Sequence, residues 1–330
     1  MSKVAILGAG AWGTALAITL ANGGHAVTLA VRRPAHLAAI RAAGANAAYL
    51  PGVAIAPAIE LTDDWAAAVR GAETIVMAVP SRFARAAIAP IVRALPAAAA
   101  LVSVTKGIEP DTLLTMTRML IELAPPAARI AVLSGPGFAA EIARGKPAAL
   151  VAAAHGDPVA RRTQELFAGP LLRVYRSADV VGVELGGVIK NVIAIAAGIG
   201  EGLELGSSAR AALITRGLAE MMRLAAAAGA RAETMAGLAG LGDLVLTCTG
   251  ALSRNRALGH KIGRGEPYVP AGDGEPVAEG AVNASAIRTL AARIGVEMPI
   301  VTAVCRILYE AAPATAMVDE LLSRQLKAEF

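Results

Sequence analysis

The chain has 330 residues, enough for two domains, with 17% charged residues and only 3% aromatics. Its net charge of +5 suits an anionic ligand, and with no run of Lys or Arg longer than two and no aromatic-basic platform, nucleic acid is not expected. Two cysteines (Cys248 and Cys305) make no disulfide framework, no stretch of about 18 uncharged apolar residues offers a membrane span, and MSKVAILGAG reads as strand and turn rather than signal sequence, so a cytoplasmic location is expected.

Lys3 to Leu7 (KVAIL) is a short apolar strand, followed at once by Gly8-Ala9-Gly10-Ala11-Trp12-Gly13 and the helical run TALAITLANGG. In a strand–GxGxxG–helix unit the first glycine makes the tight turn and the second lets a pyrophosphate reach the backbone. The third packs helix on strand, and the helix N-terminus meets the anion. A dinucleotide is therefore expected at Gly8, Gly10, Ala11, Trp12 and Gly13. The second strand, Ala26 to Val31, ends in Arg32-Arg33, where an NAD site usually places an acid. An arginine there accommodates a 2′-phosphate, which favours NADPH or dual use with NADH; two solvated strand-end arginines are the plainer alternative.

The alternation continues through helix Asp64–Arg70, strand Glu73–Val79, helix Arg82–Leu95, strand Ala100–Thr105, helix Asp111–Leu123 and strand Arg129–Leu133, with further strands at Ala148–Ala153 and Leu171–Tyr175. Fully apolar strands alternating with helices predict a parallel sheet covered on both faces. Ligands of such sheets sit beyond the carboxyl ends of the strands, which groups Gly8–Gly13, Pro80-Ser81 and Lys106-Gly107. Lys106 either holds an anionic substrate, steadies the nicotinamide end, or is a surface lysine before a turn. Ser134 to Glu141 (SGPGFAAE) carries a Gly-Pro-Gly turn whose amides could face a cofactor or anion, or make an ordinary tight turn. Asp179 is placed as a helix N-cap, and the domains divide into 1–178 and 179–330. The predicted architecture is an α/β N-terminal Rossmann-type doubly wound parallel sheet plus an all-α C-terminal domain.

Gly182 to Gly202 is apolar nearly all round, so it reads as a helix buried at the centre of its domain. Lys190 in its middle is costly unless something answers the charge. Burial lowers its pKa, whereas an acid beside it raises it. Gly186 and Gly187, at i−4 and i−3, predict that something approaches that face closely. A catalytic lysine in a cleft and a lysine reaching the surface from a small-residue seam both fit. Ser208 to Ala228 reads as a core helix with Arg216 and Glu220 spaced for an i,i+4 contact. In GLAGLGDLVLTCT, Asp243 lies just inside a helix start, as a simple dipole-favoured acid or as the partner of Lys190. Ser253-Arg254-Asn255-Arg256 suits a phosphate or is a solvated basic turn. His25, His36, His155 and His260 show no partner pattern, so no metal is expected. Gly263 to Gly280 reads as a long irregular loop, Ala281–Ala292 and Ile300–Ala311 as helices, and Asp319 to Phe330 as a surface tail.

GAGAWGTALA, AVPS, SVTKGIEP, LSGPGFAAEIARGKP, ELGGVIKNVIAIAAGI, ARAALITRGLAEM and GLGDLVLTCTGALSRNRALG, in that order from about Val4 to Val301, resemble the bacterial NAD(P)-dependent glycerol-3-phosphate dehydrogenases. The resemblance implies NADP(H) or NAD(H) as cofactor and interconversion of dihydroxyacetone phosphate and sn-glycerol 3-phosphate, which feeds glycerophospholipid synthesis. It also implies a small phosphorylated substrate, no stable membrane insertion and a homodimer. Carried over residue by residue, Lys190 is the general base with Asp243 beside it. Lys106, Gly135, Gly137, Ser253, Arg254 and Asn255 bind substrate. Trp12, Arg32, Arg33, Lys106, Ala139, Arg254, Val277 and Glu279 line the cofactor site, and Thr247 and Asn191 support it. Two departures stand out. The family usually has Ser or Thr at Gly137, and the segment before Val277 is normally partly helical where this chain reads EPYVPAGDGEP. A related hydroxy-acid reductase and a non-catalytic dinucleotide-binding redox sensor are the rival readings; the joint presence of Lys190, Asp243 and the Ser253–Asn255 cluster argues against the sensor.

Overall fold

The computed structural model describes residues 1–270, 272, 277–326 and 328–329. The first half runs β1 (Lys3–Leu7), α1 (Ala11–Asn22), β2 (Ala26–Ala30), α2 (Pro34–Ala43), β3 (Glu60–Thr62), α3 (Trp65–Val69), β4 (Thr74–Met77), α4 (Ser81–Ile88), β5 (Ala100–Ser103), α5 (Met116–Leu123), β6 (Arg129–Ser134), α6 (Ala139–Ala143), β7 (Ala148–Ala153), α7 (Asp157–Phe167) and β8 (Leu172–Ser177). These strands form one sheet in the order β3-β2-β1-β4-β5-β6-β7-β8. Val4 and Ile6 pack with α1, α2 and α7 on one face, while Ala5 and Leu7 pack with α3, α4 and α5 on the other. Strands apolar on both sides are what a two-faced sheet requires. The chain reverses its direction of winding between β1 and β4, and the crevice there is the ligand position of such sheets.

The sheet is parallel except where β7 meets β6 antiparallel. The connection between them holds only the five-residue α6, too short to carry the chain back for a parallel crossover; the eleven-residue α7 restores parallel pairing of β8 with β7. The expected helix Asp111–Leu123 begins only at Met116. Ile108 bridges Thr115 antiparallel and Leu113 adopts φ 61°. Glu109 takes two bonds from Arg85 and one from Thr112, so the EPDT segment is fixed as a turn instead. The α5 N-terminus is then capped from outside, because Glu184 accepts from the Thr117 amide at 2.8 Å and from its hydroxyl. Burial pushes this Glu184 carboxyl above its ordinary pKa.

The second half is helical: α8 (Val180–Gly202), α9 (Gly206–Ala227), α10 (Ala232–Ala236), α11 (Asp243–Thr249), α12 (Arg254–Gly263), α13 (Glu279–Ile294), α14 (Pro299–Glu310) and α15 (Ala314–Leu322). A π-helical turn, Leu238–Gly242, leads into α11. The N-cap is Asp179, whose carboxylate accepts from the Gly182 amide at 2.9 Å. Helix α8 is buried on nearly every side by the others, and its first turns pack on β6 and β7. It is the one helix among the described residues long and apolar enough to cross a membrane, and its burial is that of a core helix. Its second half crosses α12 backbone to backbone. A Cβ on Gly198 would strike the Arg256 carbonyl, and one on Gly259 the Ile195 carbonyl, with Gly202 and Gly263 meeting in the same seam.

The tail expectation is corrected in part: Asp319 to Leu322 belong to α15, while Lys327 and Phe330 lie outside the described residues. Of the expected loop, Gly263 ends α12 and Glu279-Gly280 open α13; Ala271 and residues 273–276 lie outside the described residues. Arg216 does not pair with Glu220. Glu220 is buried and accepts from the Ile300 and Val301 amides at 2.7 and 3.4 Å, capping α14 from a neighbouring helix. Burial raises its pKa to about 7 even so. Glu220→Ala orphans two buried donors and should cost about 2–4 kcal/mol in urea denaturation, whereas Arg216→Ala should change stability by no more than about 0.5 kcal/mol.

Candidate active site

The Gly8–Gly13 turn joins β1 to α1 at the crevice. Gly8 has φ +112°, and a Cβ on it would sit 2.6 Å from the Ala78 carbonyl at the end of β4. Only glycine meets both demands. A Cβ on Gly13 would strike the Gly8 carbonyl, which is why helix and strand can pack this closely here. A Cβ on Gly10 would meet nothing within 4 Å, so its backbone borders open space at the helix N-terminus. An open, glycine-lined cradle fits the pyrophosphate of a dinucleotide. Beside it the Trp12 indole nitrogen is buried without a hydrogen-bond partner. Asn46, which the sequence gave no reason to single out, holds the turn. It is fully buried and donates to the Ala9 carbonyl at 2.9 Å and to Thr14 Oγ1 at 2.8 Å.

The two arginines after β2 separate. Arg33 donates to the Tyr49 hydroxyl at 3.2 Å, while Arg32 lies over the Phe83 ring with Cζ 5.3 Å from its centroid. Across the crevice, Asn283 of α13 ties the halves together. Its Oδ1 accepts from the Ile108 amide at 2.9 Å and from the Ser81 hydroxyl at 3.3 Å. Gly107 leaves the room, since a Cβ there would strike Ser81. Glu279, one turn before Asn283, is half-buried and accepts from it at 3.3 Å. Burial pushes Glu279 up to about 7, with the Arg254 and Arg82 charges opposing that rise. Val277 lies half-buried at the approach to α13.

Lys190 is 6% exposed and Asp243 1%. Lys190 Nζ donates to Asp243 Oδ1 at 3.0 Å and to Thr247 Oγ1 at 2.7 Å. Lys106 Nζ donates to Asp243 Oδ2 at 2.5 Å and to the Gly135 carbonyl at 2.9 Å. One carboxylate thus holds two ammonium groups, one from each half of the chain. Close approach at the two glycines allows it. A Cβ on Gly186 would lie 2.5 Å from the Ala239 carbonyl, in the turn that delivers Asp243, and one on Gly187 would lie 2.7 Å from Ser134 Oγ. Burial pulls the Lys190 pKa down to about 8; Asp243 opposes this and the Lys106 charge adds to it. Burial works against the Asp243 carboxylate, but the two lysines outweigh it and hold its pKa below the ordinary value. Cys248, next along α11, is pushed up to about 12 by burial and stays a thiol.

Asn191 and Asn255 link this cluster to the start of α12. Asn255 Nδ2 donates to Asn191 Oδ1 at 2.9 Å, and Asn255 Oδ1 accepts from the Gly280 amide at 2.9 Å. Ser253 caps α12, accepting from the Arg256 amide at 3.2 Å, and Arg254 on the first turn is exposed. Lys106, Gly135, Lys190, Asp243 and, through Asn191, Asn255 therefore gather at one place. Gly137 and Ala139 lie farther along the same loop, toward Trp12. A Cβ on Gly137 would meet Ile142 Cδ1 at 2.8 Å and Trp12 Cη2 at 3.4 Å, so apolar neighbours crowd the position where the family usually has a hydroxyl. Nothing in the sequence marks Ser134 beyond its place in the turn. Its hydroxyl is buried without a partner against the Gly187 face.

Residues 3–160 match the family model for the NAD-dependent glycerol-3-phosphate dehydrogenase N-terminus, and residues 179–319 match the model for its C-terminus. A protein of Geobacter sp. (strain M21) named glycerol-3-phosphate dehydrogenase [NAD(P)+] is 50% identical over 99% of this chain and 98% of its own. One of the same name from Thiobacillus denitrificans is 49% identical over 99% of this chain and 100% of its own. The crystal structure of glycerol-3-phosphate dehydrogenase from Coxiella burnetii superposes with a TM-score of 0.92 at 38% identity, covering 98% of this chain and 99% of that one.

The folded pKa of Lys190 lies below its unfolded value of 10.5, so the unfolded chain binds more protons between about pH 8 and that value, and stability from this group grows as pH rises through the window. Asp243→Asn removes the charge that supports protonated Lys190 and extends the window downward. The variant should lose about 3–5 kcal/mol at pH 6, the cost of breaking a buried pair, and recover part of it at pH 9. Melting curves at the two pH values check this; an equal loss at both contradicts it.

Proposed function

The chain belongs to the NAD-dependent glycerol-3-phosphate dehydrogenase family, and from that we propose that the Lys190–Asp243–Lys106 cluster is its catalytic centre. The chain is an NAD(P)-dependent oxidoreductase that reduces dihydroxyacetone phosphate to sn-glycerol 3-phosphate, reversibly. The observation that carries the site assignment is a buried lysine, held by an acid and a hydroxyl, next to the crevice of a glycine-lined dinucleotide cradle.

The nicotinamide, when bound, supplies the hydride that goes to the substrate's carbonyl carbon. Negative charge then grows on the carbonyl oxygen. Protonated Lys190 stabilises it and gives up its proton, leaving the alcohol and a neutral amine; in the oxidative direction neutral Lys190 takes the proton back. Asp243 and Thr247 fix the direction of the Lys190 ammonium, so its lone pair or its proton is aimed before the substrate arrives. Lys106 balances the second Asp243 oxygen and offers positive charge to the substrate from the sheet side. Arg254, with Ser253 and Asn255, grips the phosphate at the start of α12, where the helix dipole favours an anion. Gly135, whose carbonyl accepts from Lys106, and Gly137 border the substrate, and Ala11, Trp12, Arg32, Arg33, Ala139, Val277 and Glu279 line the cofactor. The exposed phosphate end and the buried carbonyl end together orient a short phosphorylated ketone; remote binding energy then serves the reacting carbon.

The division at Ala178, between β8 and α8, is taken as the domain boundary, with the crevice between the two halves as the site. A homodimer, a cytoplasmic location and supply of the glycerophospholipid backbone follow as parts of the same reading.

Purified protein should oxidise NADPH or NADH when given dihydroxyacetone phosphate, and no turnover with either overturns the reading. Lys190→Ala should lower kcat by about 10²–10⁴-fold, the range for loss of a positioned acid, while dinucleotide binding survives; near-normal turnover refutes the role. Because reduction needs protonated Lys190 and oxidation needs it neutral, reduction should fall and oxidation rise as pH passes through about 8.

A further inference from the structure

Among the residues placed at the crevice, Arg32 has the position expected for reading a 2′-phosphate, because it follows β2 in place of the usual acid. A phosphomonoester is a compact anion carrying close to two charges, and one exposed guanidinium answers only part of it. Arg33 is the sequence neighbour that could have supplied the second, but its guanidinium donates to Tyr49 instead. The structure brings a different arginine to that end of the crevice. Phe83, in the first turn of α4, lies half-buried below both Arg32 and Arg82, whose Cζ atoms stand 5.3 and 4.6 Å from the ring centroid. Both distances are within the range of cation–π contact, so one ring orients both guanidinium groups.

Arg82 is exposed and makes no hydrogen bond or ion pair among the described residues. Its neighbour Arg85 is spent on Glu109 and Glu122, fixing α4 against the segment after β5. Glu279 and Tyr268 feel the Arg82 charge, which opposes the rise that burial gives the pKa of each. Ser81, immediately before it, is buried and bonded to Asn283. The backbone that carries Arg82 is thus held at both ends of the first turn, while the guanidinium itself keeps all its donors available.

We propose that Arg82 is a specificity-determining residue for the cofactor: with Arg32 it binds the 2′-phosphate of NADPH, and the Phe83 ring is the plate that positions both. The proposal rests on the dinucleotide reading of the Gly8–Gly13 cradle. Two guanidinium groups held by one ring bring two positive charges to phosphate oxygens, whereas the ribose diol of NADH calls for an acceptor and gains nothing from a second cation.

The test is binding without substrate. NADPH and NADH are titrated by nicotinamide fluorescence, and adenosine 2′,5′-bisphosphate and adenosine 5′-monophosphate by calorimetry, against the wild type, Arg82→Gln and Phe83→Leu. Arg82→Gln should weaken NADPH and adenosine 2′,5′-bisphosphate about tenfold, as loss of one charge-assisted contact predicts, and leave NADH and adenosine 5′-monophosphate within about twofold. Phe83→Leu should shift the NADPH-to-NADH ratio in the same direction by a smaller factor. Equal weakening of NADPH and NADH by Arg82→Gln would assign Arg82 to the pyrophosphate and overturn the proposal, as would no change in either. Wild-type protein that binds neither dinucleotide would remove the cradle reading itself, an outcome distinguishable from failure of Arg82 alone.

Discussion

The Asp243 carboxylate is the point on which this molecule turns. It is buried, it carries a charge, and it is shared between an ammonium from the helical half and one from the sheet half. Protonated Lys190 depends on it most, because an unanswered buried cation is among the costliest features a fold can carry. The interaction therefore does two things at once. It joins β5, through Lys106, to α8, through Lys190, and it sets the proton affinity of Lys190 by opposing the pull of burial. Burial wins that contest, leaving a lysine that changes charge in the pH range where a reversible proton transfer is most useful.

Keeping that carboxylate in place falls to backbone contacts rather than to side-chain bulk. A chain with 3% aromatic residues has few large groups with which to fill a core, and its helices approach closely instead. Gly186 admits the turn that delivers Asp243, Gly187 admits Ser134, and the Gly198–Gly202 and Gly259–Gly263 seam sets α12 directly against α8. The last of these governs the distance between Lys190 and the Ser253–Asn255 cluster, since both sit on the crossing helices. Asn191 and Asn255 then lock the register with a single side-chain bond. A shift of one helix against the other would move the proposed phosphate-binding end relative to the proposed proton donor, and small misplacements of that kind are costly to catalysis.

Much of this was legible in the sequence, and for identifiable reasons. The GxGxxG turn, the apolar strands and the all-round apolar helix with its lysine each carry a local pattern whose physics is self-contained. Gly186 and Gly187 announced a close approach without saying by what. The failures are cases where a distant group decides the local outcome. Asp111 to Thr115 has helix-compatible residues, but Arg85 and Thr112 hold Glu109 in a turn, and Glu184 from α8 starts the helix only at Met116. Glu220 has the spacing for an i,i+4 partner, yet it is spent on α14, eighty residues away in the chain. Asn46 sits in an Ala-rich stretch with no periodicity, and nothing local marks it as the residue that shapes the Gly8–Gly13 turn. Element α15 was hidden because its short run adjoins a terminus that reads as polar.

The two lysines that share Asp243 are not interchangeable, and the reason is where each comes from. Lys106 extends from a strand end, its side chain 18% exposed, and donates to a backbone carbonyl as well as to the acid. Lys190 extends from the middle of a buried helix, its side chain 7% exposed, and its other partner is the Thr247 hydroxyl. A hydroxyl can accept from an ammonium and, after rotating, donate to a neutral amine; a backbone carbonyl can only accept. Thr247 at present gives its own proton to the Asp243 carbonyl one turn back, so the switch needs a single hydroxyl rotation and no movement of the backbone. The protein environment thus tolerates Lys190 in both protonation states, while the Gly135 carbonyl favours Lys106 as a donor. That asymmetry, built from one helix, one strand end and one threonine, suits the proposed division of labour, in which Lys190 transfers the proton and Lys106 holds negative charge.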